Sequence, residues 1–310
     1  MIKSSACLFF LCFIAACSGP AENGQKAQTA IYTDSPVIHK ADSVIVTGYY
    51  TPVLQEYDAY LKGLDTQKLL NVLRATEQFK KGFDGQPVAV ADMAFLLFDA
   101  FQARVFAAAE KDTTDLTPLI RYDENGRPIP VSERLQTMQR LLAVAGFQIQ
   151  QEEGAPVLAR DMGYLASIVG EFVSPVLKQY LVQLGKELNE GFQHDAGITI
   201  PLTQLADRVV WWEQFSKANP GFIYAAKAAE NYHYFLTYLL IGMDNTPVEE
   251  SGVLAEDFKA AYLHVQQQYN GTATERYITP YLKAYLDKTP AKAKQILEDY
   301  VKRKIILYSR

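Results

Sequence analysis

The stretch Pro201–Gly242, PLTQLADRVVWWEQFSKANPGFIYAAKAAENYHYFLTYLLIG, decides the fold. Two runs of helical hydrophobic spacing, 201–218 and 222–242, flank Asn219-Pro220-Gly221, a turn former where the chain must reverse. A linker this short makes the two helices antiparallel neighbours. The same pattern continues to the C-terminus, predicting helices over 253–269, 273–287 and 290–308. They are separated by Asp244-Asn245-Thr246-Pro247, Asn270-Gly271 and Thr289-Pro290.

Upstream the chain is also mostly helical. Pro52 opens one amphipathic piece, and Leu69–Lys81 forms a second, with Asp65 or Thr66 placed to cap it. After the break Gly82-Phe83-Asp84-Gly85, Pro87 starts a long apolar helix that runs to about Lys111. RYDENGRPIP (121–130) is a surface turn around Asn125-Gly126, and Ser132 opens a helix to about Ala145. One strand signal interrupts the helices. Phe147-Gln148-Ile149-Gln150 alternates, Glu152-Glu153-Gly154 turns, and Val157-Leu158-Ala159 returns as a hairpin. Asp161 then caps a helix to about Phe172, and Ser174-Pro175 starts another to about Asn189. His194–Ile200 is a loop with room for a short extended piece.

The expected architecture is therefore mostly α: antiparallel helical hairpins, as a bundle or a short α-solenoid, with one small β-hairpin inserted. The expected organisation is 1–16 as a signal peptide and 17–50 as a tether rich in Ser, Gly, Pro, Ala, Gln and Asp. Residues 51–193 form an N-terminal helical region, and 194–310 a C-terminal helical-hairpin region.

Trp212, Phe215, Gly221, Ala228, Phe235 and Leu236 recur in class, fifty residues on, as Tyr262, Val265, Gly271, Ile278, Tyr285 and Leu286. In this the segment from Trp211 to Leu240 resembles the tetratricopeptide-like helical repeats of bacterial envelope lipoproteins. The resemblance covers about a third of the mature chain, at a spacing of fifty rather than the usual 34 residues. Two antiparallel helix pairs in an ordinary bundle give the same correspondence.

The N-terminus carries a second resemblance. Lys3 supplies a positive start, Ala6–Ala16 is an unbroken apolar run, and Ile14-Ala15-Ala16-Cys17 closes it. Eleven residues is too short to span a bilayer but suits a signal-peptide core. The closing residues resemble the lipobox of bacterial lipoproteins. That resemblance implies diacylglyceryl transfer to the Cys17 sulfur, cleavage before Cys17 and acylation of the new amino terminus, palmitate being a typical acyl group. An ordinary signal peptide cleaved near Ala16 is the alternative. All 3 cysteines lie at 7, 12 and 17, so two leave with the peptide and the third carries the lipid. Several acyl chains on one residue anchor a protein durably to a membrane. Ser18 rather than Asp follows the cysteine, which in the enteric sorting pattern means the outer membrane. Periplasmic and surface-exposed faces both stay open.

Composition narrows the function. At 49% hydrophobic and 21% charged, the chain is neither disordered nor fibrous. With 30 Lys+Arg against 35 Asp+Glu the net charge is −5, and loss of Lys3 takes it to −6. This acidic balance is unfavourable for nucleic acid as a partner. The histidines are scattered at 39, 194, 233 and 264, and no HExxH occurs. Glu230-x-x-His233 has di-iron spacing but lacks a second such pair, so His233 reads as a core-edge residue. Asp244-Asn245-Thr246-Pro247 offers too few oxygens for calcium and reads as a turn. No G-x-S-x-G elbow, thiol nucleophile or phosphate-binding loop is present in the mature chain. No cofactor or metal is expected, and enzymatic activity lacks a constellation to carry it.

Two features retain functional interest. Asp92 and Asp99 lie two turns apart on the most apolar helix. Buried, they would suit acid–base work on an extracellular polymer, with Glu230/His233 as the other candidate pair. The favoured reading is an exposed stripe shared with Gln102 and Arg104. The aromatics are the other feature, with Trp211, Trp212, Tyr234 and Tyr238 as candidate ligand-binding residues. Adjacent tryptophans face about 100° apart on a helix, so at most one packs centrally. The other is free to line a groove for an envelope protein or a glycan. A lipid-anchored helical binding or scaffolding module is thus the leading expectation, and an enzyme using helix carboxylates the alternative.

Overall fold

The computed structural model describes residues 51–111 and 113–308. The signal peptide, Cys17 and the tether expected over 17–50 lie outside the described residues. The architecture is mostly α with small antiparallel two-stranded sheets, as the sequence predicts.

Three helices open it: α1 (Pro52–Lys62), α2 (Leu70–Phe83) and α3 (Val88–Glu110). α3 is apolar nearly all round, and α1, α2 and the inserted hairpin all pack on it. Its Phe95, Phe98 and Phe101 are buried with Tyr57 of α1 and Phe79 of α2. The cap expected from Asp65 is displaced by several residues. Its Oδ1 accepts from the Gln67 amide (2.9 Å) in a turn, and α2 begins at Leu70 without a side-chain cap.

A 3-10 turn (Thr114–Ile120) and α4 (Glu133–Val144, capped by Ser132) lead to the hairpin β1 (Phe147–Glu152) and β2 (Ala155–Arg160). Its register pairs Phe147 with Arg160 and Glu152 with Ala155. The two turn residues, Glu153 and Gly154, both have positive φ (48° and 80°), the requirement of a tight hairpin turn.

α5 (Met162–Val169) is capped by Asp161, and α6 (Pro175–Glu190) by Ser174. The boundary expected at 194 falls in a two-residue hairpin, β3 (Gln193–His194) with β4 (Gly197–Ile198). Then come α7 (Leu202–Ala218) and α8 (Ala225–Ile241), packed along each other. β5 (Gly242–Met243) pairs with β6 (Thr246–Pro247), and β7 (Glu249–Glu250) with β8 (Val253–Leu254). α9 (Glu256–Gln268), α10 (Ala273–Leu286) and α11 (Pro290–Lys302) complete the order.

The structure departs from the expected boundaries at four places, the first being the helix expected from 222, which starts at Ala225. α5 ends at Val169 rather than Phe172. The helix expected from 253 starts at Glu256, because residues 249–254 form the β7–β8 hairpin. The helix expected to 308 stops at Lys302, and the following residues turn back onto α8. There His233 Nδ1 meets the Ile305 carbonyl (2.9 Å), the Leu307 amide donates to Thr237 Oγ1 (3.0 Å), and Tyr308 donates to the Tyr238 hydroxyl (2.8 Å).

α7 packs against both α8 and α9. The fifty-residue correspondence holds at the packing level for Trp212/Tyr262, Phe215/Val265 and Ala228/Ile278, all buried. It fails at Leu236/Leu286, where Leu236 is buried but Leu286 is 58% exposed at the last residue of α10.

Candidate functional site

The polar chemistry of the interior gathers at two arginines. The first centre lies on α3. Arg160, at the end of β2, pairs with Asp99 Oδ1 and donates to Gln102 Oε1 through Nε (3.0 Å) and Nη2 (2.6 Å). Tyr224, just before α8, donates to Asp99 Oδ2 (2.8 Å). Gln102 Nε2 donates to the Ala145 carbonyl (2.8 Å). Gly146 (φ +75°) lets the chain pass here, since a Cβ would stand 2.7 Å from that same Nε2. Burial, together with the Asp99 charge and hydrogen bond, pushes the Tyr224 phenol well up.

This corrects the expectation for Asp92, Asp99 and Gln102. Asp99 is 5% exposed and Gln102 wholly buried. Asp92, Asp99 and Gln102 lie off the exposed stripe of α3, which runs through Arg104 and Ala107, so they must find internal partners. Asp92 is also buried, and its Oδ1 accepts the Ser174 amide (2.8 Å) at the start of α6. Burial raises its pKa, while the Ser174 hydrogen bonds act the other way. Seven residues of helix separate the two acids by about 10 Å, and each has its own partners. They do not form one site.

The second centre joins α6 and α7. Gln183 and Glu187 share a face of α6 at i, i+4, and Arg208, Trp211 and Trp212 come from α7. Glu187 is buried, and its Oε1 accepts from Gln183 Nε2 (2.7 Å) and Trp212 Nε1 (2.8 Å). Its Oε2 is buried without a hydrogen-bond partner. Arg208 is divided. Nη2 donates to Glu190 Oε2 (3.0 Å) and the Gly191 carbonyl (3.1 Å), which leaves Nε 3.8 Å from Glu187 Oε1. Its guanidinium also lies 5.0 Å from the Phe235 ring centre.

Desolvation therefore wins at Glu187. Its pKa rises to about 7, against the opposing charge of Arg208 and the Gln183 and Trp212 hydrogen bonds. Glu190 goes the other way. Partial burial pushes it up, but hydrogen bonds from Arg208 and Gln204, with Lys186 nearby, hold it below the usual carboxylate range.

Beside this centre opens a groove of about 230 Å³. Its walls include Gln183, Lys186 and Glu190 of α6, Gln204, Asp207 and Trp211 of α7, and Tyr269 after α9. Asp207 Oδ1 accepts from both His264 Nε2 (2.6 Å) and the Tyr269 hydroxyl (2.7 Å). Burial first, then the Asp207 contact, pushes the Tyr269 phenol up to about 12. A larger and more apolar groove of about 510 Å³ lies by Ile198, Leu202, Pro247 and Phe258.

The four candidate aromatics fall into different surroundings. Trp211 is partly buried on the first groove, its ring stacked on Phe215 (5.0 Å between centres, 12° between planes). Trp212 is wholly buried, edge-on to Tyr180, and its N–H is spent on Glu187. It is a core residue, closed to a ligand in this structure. Tyr234 and Tyr238 meet each other and Phe192, and Tyr238 also meets Tyr308 of the C-terminal segment. None of the ring contacts among the described residues joins them to Trp211. The expected single aromatic groove from Trp211 to Tyr238 is thus two separate clusters, because the C-terminal segment folds over the α8 pair.

Glu230 is an exposed partner of Lys227 (3.3 Å), apart from the His233 contact with Ile305. Among the described residues no group of three or more His, Cys, Asp or Glu could hold a metal. No described helix is long and apolar enough to cross a membrane. Family models, curated proteins and solved structures give no match to this chain.

Sequence reasoning missed Glu187 and Arg208, although a signal existed. Glu187 continues the stripe Leu177, Tyr180, Leu184, and Arg208 lies between Leu205 and Trp212 at helical spacing. A charge in phase with an apolar stripe marks a buried ion.

Proposed function

We propose that this chain is a lipoprotein, held in the cell envelope by acyl chains on Cys17, whose helical body binds an envelope protein or a glycan. The observation that carries the binding reading is the groove on α7. It presents a partly exposed tryptophan, immobilised by stacking on Phe215, among polar side chains that are already organised by ion pairs. Rigid aromatics lose little entropy on binding, and this favours them as contact residues. The lipid-anchor reading rests on the Lys3, apolar-run and Cys17 pattern, and the outer membrane is the placement in keeping with Ser18.

The test has two arms. Mass analysis of the mature N-terminal peptide should find a diacylglyceryl Cys17, and Cys17→Ala should move the protein out of the membrane fraction. In-cell crosslinking should capture a partner with wild type and lose it with Trp211→Ala. An unmodified Cys17 sinks the anchor, and identical crosslinks from both proteins sink the groove.

A second reading has one specific observation behind it. Glu187 and Glu190 share one arginine yet are pushed in opposite directions, as acid–base pairs are in enzymes. The enzymatic alternative therefore moves from Asp92/Asp99 to this pair. Glu187→Gln abolishing turnover of an envelope polymer would support it.

A further inference from the structure

We propose that the α7 groove is a saccharide subsite for one uncharged, hydroxyl-rich ring of a neutral glycan. This rests on the reading of the body as a binding module and names what that module holds.

Charge comes first. The groove presents Lys186 and Arg208 against Glu190 and Asp207, and these are already matched. Lys186 lies 3.6 Å from Glu190, Arg208 donates to Glu190, and Asp207 accepts from His264 and Tyr269. An anionic ligand would have to compete with Glu190 for Lys186 and Arg208, and a cationic ligand with the existing partners of Glu190 and Asp207. The exchange is costly at the buried Arg208 and cheaper at the exposed Lys186 and Asp207.

The remaining polar lining is of the amide kind. Gln214 brings a carbonyl and an NH2 to the wall, and Gln204, whose amide donates to Glu190, brings its carbonyl. A sugar hydroxyl both donates and accepts, so it is matched by groups that do the same. Trp211 supplies the flat apolar surface that the C–H face of a pyranose needs, and its stacking on Phe215 fixes that surface before binding. Tyr269 is held through Asp207 as a second aromatic wall.

Size sets the extent. About 230 Å³ is below the roughly 300–1,000 Å³ of pockets that enclose drug-sized ligands. One ring fits, and the rest of a glycan would run over the surface. A protein partner is less well served, because stable interfaces bury on the order of 1,200 Å² or more around an apolar centre.

The two tryptophans make the test direct. Trp212 is wholly buried, so a ligand at the groove acts on Trp211, the other of the 2 indoles in the chain. The full-length protein, in a detergent without a sugar headgroup, would be titrated with cellohexaose, maltohexaose and chitohexaose, and with oligogalacturonate as the charged control. Calorimetric titration gives the affinities of wild type and variants, and acrylamide quenching of the wild type reports on Trp211. At least one neutral oligosaccharide should protect Trp211 from quencher. Trp211→Ala should weaken its binding about tenfold or more, and Gln214→Ala by a smaller factor, with the thermal midpoint little changed. Affinity should change by less than about twofold between low and high salt, since no net charge is screened.

The proposal is overturned if every neutral oligosaccharide is silent, if Trp211→Ala binds like wild type, or if oligogalacturonate binds best and weakens with salt. Silence from the sugars together with a crosslinked protein lost in Trp211→Ala would remove the saccharide and leave the binding module standing. Silence in both would remove the two together.

Discussion

The two buried carboxylate–arginine centres use the same ingredients in different arrangements. At Asp99 both oxygens are spent, one on Arg160 and one on the Tyr224 hydroxyl, and the arginine's other contacts go to Gln102 and the Asp99 carbonyl. At Glu187 one oxygen takes two neutral donors and the other takes none, because the Arg208 guanidinium is turned toward Glu190 and Gly191. Burial with incomplete partners favours the neutral carboxyl at Glu187. The complete centre ties α3 to β2 and to the start of α8. The incomplete one lies beside the groove.

The hardest way to break this contrast is at Asp99. Asp99→Ala should cost about 3–5 kcal/mol, because it leaves Arg160 charged, buried and unmatched. Chemical denaturation of the purified protein measures it. A loss under about 1 kcal/mol would mean that the centre is not the tie described.

The second effect is roughly as large but depends on pH. Glu187 has its folded pKa raised from 4.5 to about 7. A raised acid favours the folded state only while protonated. Its contribution is full below about pH 4.5 and is lost as pH rises through 7. The change amounts to roughly 3 kcal/mol. Glu187→Gln, neutral at every pH, should therefore stabilise the protein at pH 8 relative to wild type and do little at pH 4.5. Parallel stability–pH curves for the two proteins would remove the account.

Asp92 gives a smaller effect. Asp92→Ala takes an acceptor from the Ser174 amide at the start of α6 and should cost about 1–3 kcal/mol, read as a lower denaturation midpoint. The loss should grow in acid, because an acid with a raised pKa favours the folded state only while protonated and the variant lacks that contribution.

How much of this was legible in the sequence follows from what each feature depends on. Helices such as Leu202–Ala218 and the Phe147–Arg160 hairpin depend on periodicity and turn residues within one segment, and they were readable. The β7–β8 pair has two residues per strand and no period to detect. The Asp99 centre depends on residues up to 125 positions apart, so α3 alone could not say whether its acids faced water. Trp211 and Trp212 could be told to diverge, by the 100° step, but not which faced the core. That choice is made by Tyr180 and Glu187 of α6.

The mildest substitution puts the sharpest question to the comparison. If the Glu187 pKa is raised because Arg208 is shared, removing the competitor should lower it. Glu190→Gln deletes the carboxylate that holds Arg208 Nη2 at 3.0 Å, and also a like charge that helps to raise Glu187. Both changes act in one direction: Arg208 is released toward Glu187, and its ionised form is favoured. The Glu187 pKa should fall from about 7 toward the ordinary carboxylate range. Stability at neutral pH should hold or rise, because the fall of the Glu187 pKa returns up to roughly 3 kcal/mol against the loss of the Arg208–Glu190 pair. Trp212 donates directly to Glu187 Oε1, so its fluorescence in a Trp211→Phe background reports the titration. A midpoint that stays near 7 in Glu190→Gln would mean that burial alone sets the carboxyl, and that the division of Arg208 is not what separates the two centres.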